Sequence, residues 1–175
     1  MFANPEQNVA RLSLQEGMRV ADLGAGTGYY ARAAAKRVGH TGRVYAVEVQ
    51  KDMVKKLEQE LKEWYIANVD CIWGNIEKLN GTKIAEGSMD AVIISNVLFQ
   101  ADDKIGLIDE AKRILKKNGK LLLIDWSTPL SGKGQAHHYI VSPEKAKSLF
   151  EGRGFKTVET IEASDHHYGI IFTHE

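Results

Sequence analysis

The residue types best suited to chemistry lie in one short turn and one acid beyond it. Asp22-Leu23-Gly24-Ala25-Gly26-Thr27-Gly28 closes an apolar run, Met18 to Leu23, and opens directly into an Ala-rich helical segment, Tyr29 to Val38. Glycines at such a turn let the backbone bend sharply and approach a ligand closely. Glu48 ends the next strand-like run, 20 residues after Gly28. A carboxylate at that point can accept hydrogen bonds from both hydroxyls of a ribose. The pair is a nucleoside-binding constellation; the plainer alternative is an ordinary strand-to-helix connection and a solvated strand-end charge.

The spacing discriminates between ligands. A dinucleotide fingerprint needs G-x-G-x-x-G. Counting from Gly24 and Gly26 puts Tyr29 in the third glycine's place, and counting from Gly26 and Gly28 puts Ala31 there, too far into the helix. Asp22 would also set a carboxylate against an approaching pyrophosphate. These features disfavour an NAD-dependent oxidoreductase. The same carboxylate suits a ligand with an ammonium group, such as the methionine end of S-adenosylmethionine. Tyr29 and Tyr30 follow the turn, and adjacent helix residues point about 100 degrees apart, so one is expected to face the site and the other to pack. The facing ring could stabilise a sulfonium charge. Trp73 and Trp126 are expected in the core.

The elements that must position these residues alternate between two periodicities. Arg43 to Val49, Val69 to Trp73, Met89 to Ser95 and Lys120 to Trp126 read as strands, the last two almost wholly apolar, as in strands buried on both faces. Met53, Val54, Leu57, Leu61 and Trp64 recur at helical spacing, as do Ile105, Ile108, Ala111, Ile114 and Leu115, with Asn118-Gly119 as the stop. Ser142-Pro143-Glu144 starts a helix that runs to about Glu151. Phe155 to Glu162 and Tyr168 to His174 are two strands with a short turn, hence antiparallel. Alternation of this kind implies an α/β fold, doubly wound, with helices on both faces of a mostly parallel sheet, and ligands bind at the carboxyl ends of its strands.

Four of the six histidines form the pairs His137-His138 and His166-His167, in the loop after the fifth strand and in the closing turn. Both segments belong at the carboxyl edge of the sheet, with Asp165 alongside. His138 and His167 are the candidates for a general base or acceptor contact. Polar loop residues are the bland reading and a zinc or iron site the sharp one; no metal ligand is assigned.

Five segments in order carry a resemblance. Val20 to Gly28, Val44-Tyr45-Ala46-Val47-Glu48, Gly74-Asn75-Ile76, Asp90 to Leu98 and Arg113 to Trp126 resemble the successive motifs of class I S-adenosylmethionine-dependent methyltransferases. The general shape is closest to the small branch that includes the ubiquinone/menaquinone C-methyltransferases. The resemblance implies a Rossmann-like, seven-stranded sheet of order 3-2-1-4-5-7-6 with strand 7 antiparallel. It implies transfer of a methyl group from S-adenosylmethionine to an acceptor by in-line displacement, leaving S-adenosylhomocysteine. Gly24, Ala25 and Gly26 would form the floor under the methionine part, with Asp22 orienting its ammonium. Glu48 would take the ribose and Val49 or Gln50 flank the adenine. Asn75 and Ile76 would meet the adenine edge and face, and Ser95 and Asn96 border the methyl group. Asn75 stands where the family usually has Asp, so it is either an adenine contact or a plain turn residue. Ser95-Asn96 could equally cap a helix.

Composition bounds the rest. The chain has 175 residues, 43% hydrophobic and 26% charged, with 23 basic against 23 acidic side chains. A zero net charge argues against nucleic acid or an anionic membrane as partner. The lone cysteine, Cys71, cannot form an internal disulfide, which fits a reducing cytosol. The start of the chain is not a secretory signal and no apolar stretch is long enough to span a bilayer. The expectation is a single cytoplasmic domain over residues 1–175, with 1–14 as an N-terminal cap and 128–141 as a possible lid. Its acceptor is expected to be a small molecule. Methylation of a protein side chain and a catalytically silent cofactor-binding module are the alternatives; oligomeric state is open.

Overall fold

The computed structural model describes residues 4–127 and 140–175. Their elements run α1 (Pro5–Ala10), β1 (Arg19–Leu23), α2 (Tyr29–Val38), β2 (Arg43–Glu48), α3 (Lys51–Glu63), β3 (Val69–Trp73), β4 (Met89–Ser95), α4 (Lys104–Ile114), β5 (Leu115–Trp126), α5 (Pro143–Glu151), β6 (Phe155–Ser164) and β7 (His167–His174). The strands form one seven-stranded sheet of order β3-β2-β1-β4-β5-β7-β6. Pairing is parallel from β3 to β5, and β7 runs antiparallel to both β5 and β6. This is the order that the motif resemblance implies. No helix among the described residues is long and apolar enough to cross a membrane.

Period-2 alternation splits the sheet's side chains between two apolar layers. Leu23, Val92, Ile94, Leu121 and Leu123 point to one face, covered by α4 and α5, where Phe150 stacks on Phe172 with centroids 4.5 Å apart. Val20, Ile93, Leu122, Ile124 and Ile171 point to the other, beneath Ala31, Ala34 and Ala35 of α2 and Val9 of α1. Alanines along α2 let that helix lie close to the sheet. Its start is fixed by Gly24, Gly26 and Gly28, all at positive φ. A Cβ at Gly24 would collide with Val97 and one at Gly28 with Leu57. Glycine is therefore required there by both conformation and space.

Several element ends depart from the sequence reading, β6 among them, which runs on to Ser164. Asn118-Gly119 does not stop α4, which ends at Ile114. Leu115 already pairs with Met89, and the pairing resumes only at Lys120 opposite Ala91. The residues between form a bulge, with Asn118 at φ 62° as its left-handed corner. At the closing turn, β7 begins one residue earlier than expected, so His167 belongs to the strand. Ser95-Asn96 do not cap α4; Asp103 does, accepting from the Gly106 amide at 2.8 Å. The expectation for Ser142 stands, its hydroxyl accepting from the Lys145 amide at 3.2 Å.

Candidate cofactor site

A cavity of about 890 Å³ opens along the carboxyl edge of the sheet. Its lining includes Asp22, Gly24, Ala25, Gly26, Tyr29, Glu48, Val49, Asn75, Ile76, Ser95 and Asn96, so every residue singled out for the cofactor lies on one surface. The topology makes this possible: β1 and β4 are neighbours whose connections leave on opposite faces, so a crevice opens between their ends.

Asp22 is 1% exposed, and its Oδ2 is buried with no hydrogen-bond partner among the described residues. Burial pushes its carboxyl up to about 7, with the Ala31 amide opposing and the Glu48 charge adding to the rise. An unsatisfied buried acceptor is costly. It is the expected state of a group held ready for a donor that none of the described residues supplies. Glu48 is differently held. Its Oε1 accepts from the Gln50 amide at 2.9 Å and its Oε2 from the Gly26 amide at 3.2 Å. The carboxylate thus ties the glycine turn to the end of β2 while keeping lone pairs for a diol.

The part of the cavity where the adenine is expected is built by the chain after β3. Asn75 Oδ1 accepts from the Glu77 amide at 2.9 Å, the local bond of a turn residue, while the side chain also borders the cavity. Both readings of Asn75 therefore have a structural basis. The loop is anchored by a residue the sequence reading missed. Glu110, buried on α4, accepts from the Asn80 and Thr82 amides at 2.9 and 3.1 Å and pairs with Arg113 at 2.8 Å. Burial alone would raise this carboxyl, but Arg113, Thr82 and the two amides prevail and hold it at about 2.

The aromatic expectations need correcting. Both tyrosines border the cavity: Tyr29 is 54% exposed and leans on Trp64 at 5.7 Å between centroids. The Tyr30 hydroxyl accepts from Asn8 Nδ2 at 3.0 Å. This bond pins α1 over the site, and the start signal Asn4-Pro5-Glu6 was there to be read, with Asn4 Oδ1 capping the Glu6 and Gln7 amides. Trp73 is not in the core. It is 48% exposed, with its indole N–H donating to the Val49 carbonyl at 2.9 Å and Lys51 over its ring. Trp126 is likewise on the cavity wall, since it is the last residue of its strand and lies at the rim.

His167 lines the same cavity and is 4% exposed. His137, His138 and most of the possible lid lie outside the described residues, and so does the expected meeting of the two histidine pairs. Among the described residues, no cluster of His, Cys, Asp and Glu is placed to hold a metal.

Residues 14–168 match the model of a family described as "Methyltransferase domain". The chain belongs to this methyltransferase family. A demethylmenaquinone methyltransferase of a Geobacillus species is 30% identical over 135 residues, 77% of this chain and 56% of that protein. The ubiquinone/menaquinone biosynthesis C-methyltransferase UbiE of Hydrogenovibrio crunogenus is 36% identical over 115 residues, 65% of this chain and 44% of that one. This methyltransferase thus spans about half the length of these curated relatives. Among solved structures, a SAM-dependent methyltransferase from Aquifex aeolicus superposes with a TM-score of 0.87 at 25% identity, covering 97% of this chain and 89% of the other. The cleft of this methyltransferase fits S-adenosylmethionine. The unpaired Asp22 oxygen matches the ammonium, the glycine floor admits the backbone-close methionine part, and Glu48 matches the ribose diol.

Proposed function

We propose that this methyltransferase transfers a methyl group from S-adenosylmethionine to a small-molecule acceptor. The observation that carries the reading is Asp22, a buried carboxylate with an unused oxygen set beside a glycine turn and a diol-ready Glu48. When bound, the cofactor supplies a methyl carbon on a sulfonium: the acceptor's electron pair forms the new bond to carbon while the carbon–sulfur pair returns to sulfur as a thioether. The protein's share is binding, orientation and exclusion of water, and orientation alone is worth on the order of 7 kcal/mol. Asp22 fixes the amino-acid end, Glu48 the ribose, and the end of β4 at Ser95 and Asn96 borders the reacting centre. The names of the curated relatives support a small acceptor.

Calorimetry with S-adenosylmethionine, S-adenosylhomocysteine and NAD tests the cofactor assignment. Micromolar binding of the first two and none of NAD is expected, and preference for NAD overturns it. Methyl transfer in a screen of small acceptors is the expected second result; transfer to a protein side chain alone would replace the acceptor class, and binding without any transfer would leave a silent module.

A further inference from the structure

Three strands meet in register at the far end of the cavity. Trp126 of β5 pairs with His167 of β7, and His167 pairs with Ser164 of β6. Directly opposed residues of antiparallel strands share a face, so the three side chains form one row. A register shift between Glu162 and Ser164 makes the row possible, by bringing Ser164 opposite His167. The indole and imidazole rings lie 4.0 Å apart between centroids at 37°. β4, which borders the reacting methyl group, lies two strands from β7, or about 10 Å at the usual strand spacing.

The hydrogen bonds of the row bear on the tautomer of His167. The Ser164 hydroxyl oxygen receives the His166 amide at 3.3 Å and lies 2.8 Å from His167 Nδ1. A serine hydroxyl has one proton to give and two lone pairs to accept with; one lone pair takes the His166 amide, and with the hydroxyl donating, Nδ1 accepts its proton. Nδ1 is then unprotonated, and in a neutral imidazole the proton resides on Nε2. Nε2 is buried without a hydrogen-bond partner among the described residues. Burial, with the neighbouring His166 charge, lowers the His167 pKa, which favours the neutral ring.

We infer that His167 serves the acceptor as a hydrogen-bond donor, presenting Nε2–H to an anionic or carbonyl oxygen of a molecule seated against Trp126. This rests on the methyltransferase reading and deepens it. An Nε2 that already carries its proton cannot collect one from the acceptor. The row therefore selects acceptors that bring an electron-rich oxygen with them, and it replaces the expectation of His167 as general base. The unsatisfied donor accounts for itself in the same way as the unsatisfied Asp22 oxygen at the other end of the cavity: each awaits a ligand group of opposite character.

Multiple-bond proton–nitrogen NMR on the full chain, labelled with ¹⁵N, reads the tautomer with no knowledge of the acceptor. His167 is expected as the Nε2–H form at pH 8, with Ser164→Ala shifting the population toward Nδ1–H. An Nδ1–H form in the unaltered protein overturns the assignment. The ligand class is probed with 4-nitrophenolate in the presence of S-adenosylhomocysteine. The Nε2 proton should move downfield on binding, with affinity falling at least tenfold in His167→Ala and recovering to within threefold in His167→Gln, whose amide also donates. Absent binding, or equal affinity in the alanine variant, overturns the class. Failure of S-adenosylhomocysteine itself to bind would instead count against the methyltransferase reading and leave the tautomer result standing.

Discussion

A buried carboxylate with an idle oxygen is destabilising until something uses it, and Asp22 shows what that means for binding. Its carboxyl sits at about 7 in the free protein. An ammonium placed against Oδ2 favours the charged form, so ligand binding drives the proton off. Affinity for S-adenosylmethionine should therefore rise as pH goes from 6 to 8, with proton release measurable as a buffer-dependent calorimetric enthalpy. Asp22→Asn should abolish that pH dependence and weaken binding about 10- to 100-fold, the worth of a hydrogen bond to a charged group. A pH-independent affinity in the unaltered protein would contradict this role. That Asp22 and Glu48 border one cavity was legible in the sequence because one turn and one strand end carry them. Trp126, His167 and Ser164 were not legible as a group. They are adjacent only through the pairing of three strands, and a slip of one residue in either pairing would send a side chain to the opposite face.

At the scale of elements, the alternation of strands and helices was readable, and the sheet order followed from the motif resemblance. What escaped was how elements are fastened to one another. Glu110 sits on α4 as one acid among helical residues, and its sequence neighbours do not announce that it captures the amides of Asn80 and Thr82 in a loop 28 to 30 residues away. The bulge after Leu115 escaped for a related reason: Asn118-Gly119 serves a helix end and a strand irregularity equally well. The Glu110 anchor has a testable consequence. Glu110→Ala leaves Arg113 largely buried without its acid, with two loop amides deprived of their acceptor. Breaking a buried ion pair from one side costs about 3–5 kcal/mol, expected as a matching loss in urea denaturation. Because the loop also carries Asn75 and Ile76, cofactor affinity should fall in the same variant even where it remains folded. A surface-like loss below 1 kcal/mol with unchanged affinity would show that the loop does not depend on α4.

For the molecule as a whole, the buried acids set an unusual dependence of stability on pH. Asp22 is raised to about 7 and Asp125 to about 6 from an ordinary value of 3.8. Asp125 is raised by burial, which the amides of Trp126, Phe99 and Leu98 only partly offset. Between the unfolded and folded values the native state binds more protons than the unfolded chain, so stability falls as pH rises. For these two groups stability is fully present below about pH 4 and lost progressively as pH approaches 6 and 7. Glu110, lowered from 4.5 to about 2, works in the opposite sense: its contribution is complete above 4.5 and disappears as pH falls toward 2. His167, lowered below 6.5, also favours the native state as pH rises through its range and blunts the effect of the two aspartates. The larger shifts prevail, so the ligand-free protein should melt at a higher temperature near pH 5 than near pH 8. A difference of about 1 kcal/mol corresponds to a few degrees in a chain of this size. Saturating S-adenosylmethionine binds the form with charged Asp22, and so stabilises the protein more at pH 8 than at pH 5. The difference between the two melting temperatures should shrink with the cofactor present and, without it, in Asp22→Asn. A ligand-free protein that melts higher at pH 8 would mean that neither aspartate is charged at a cost, and that the cavity is wetter than its burial implies.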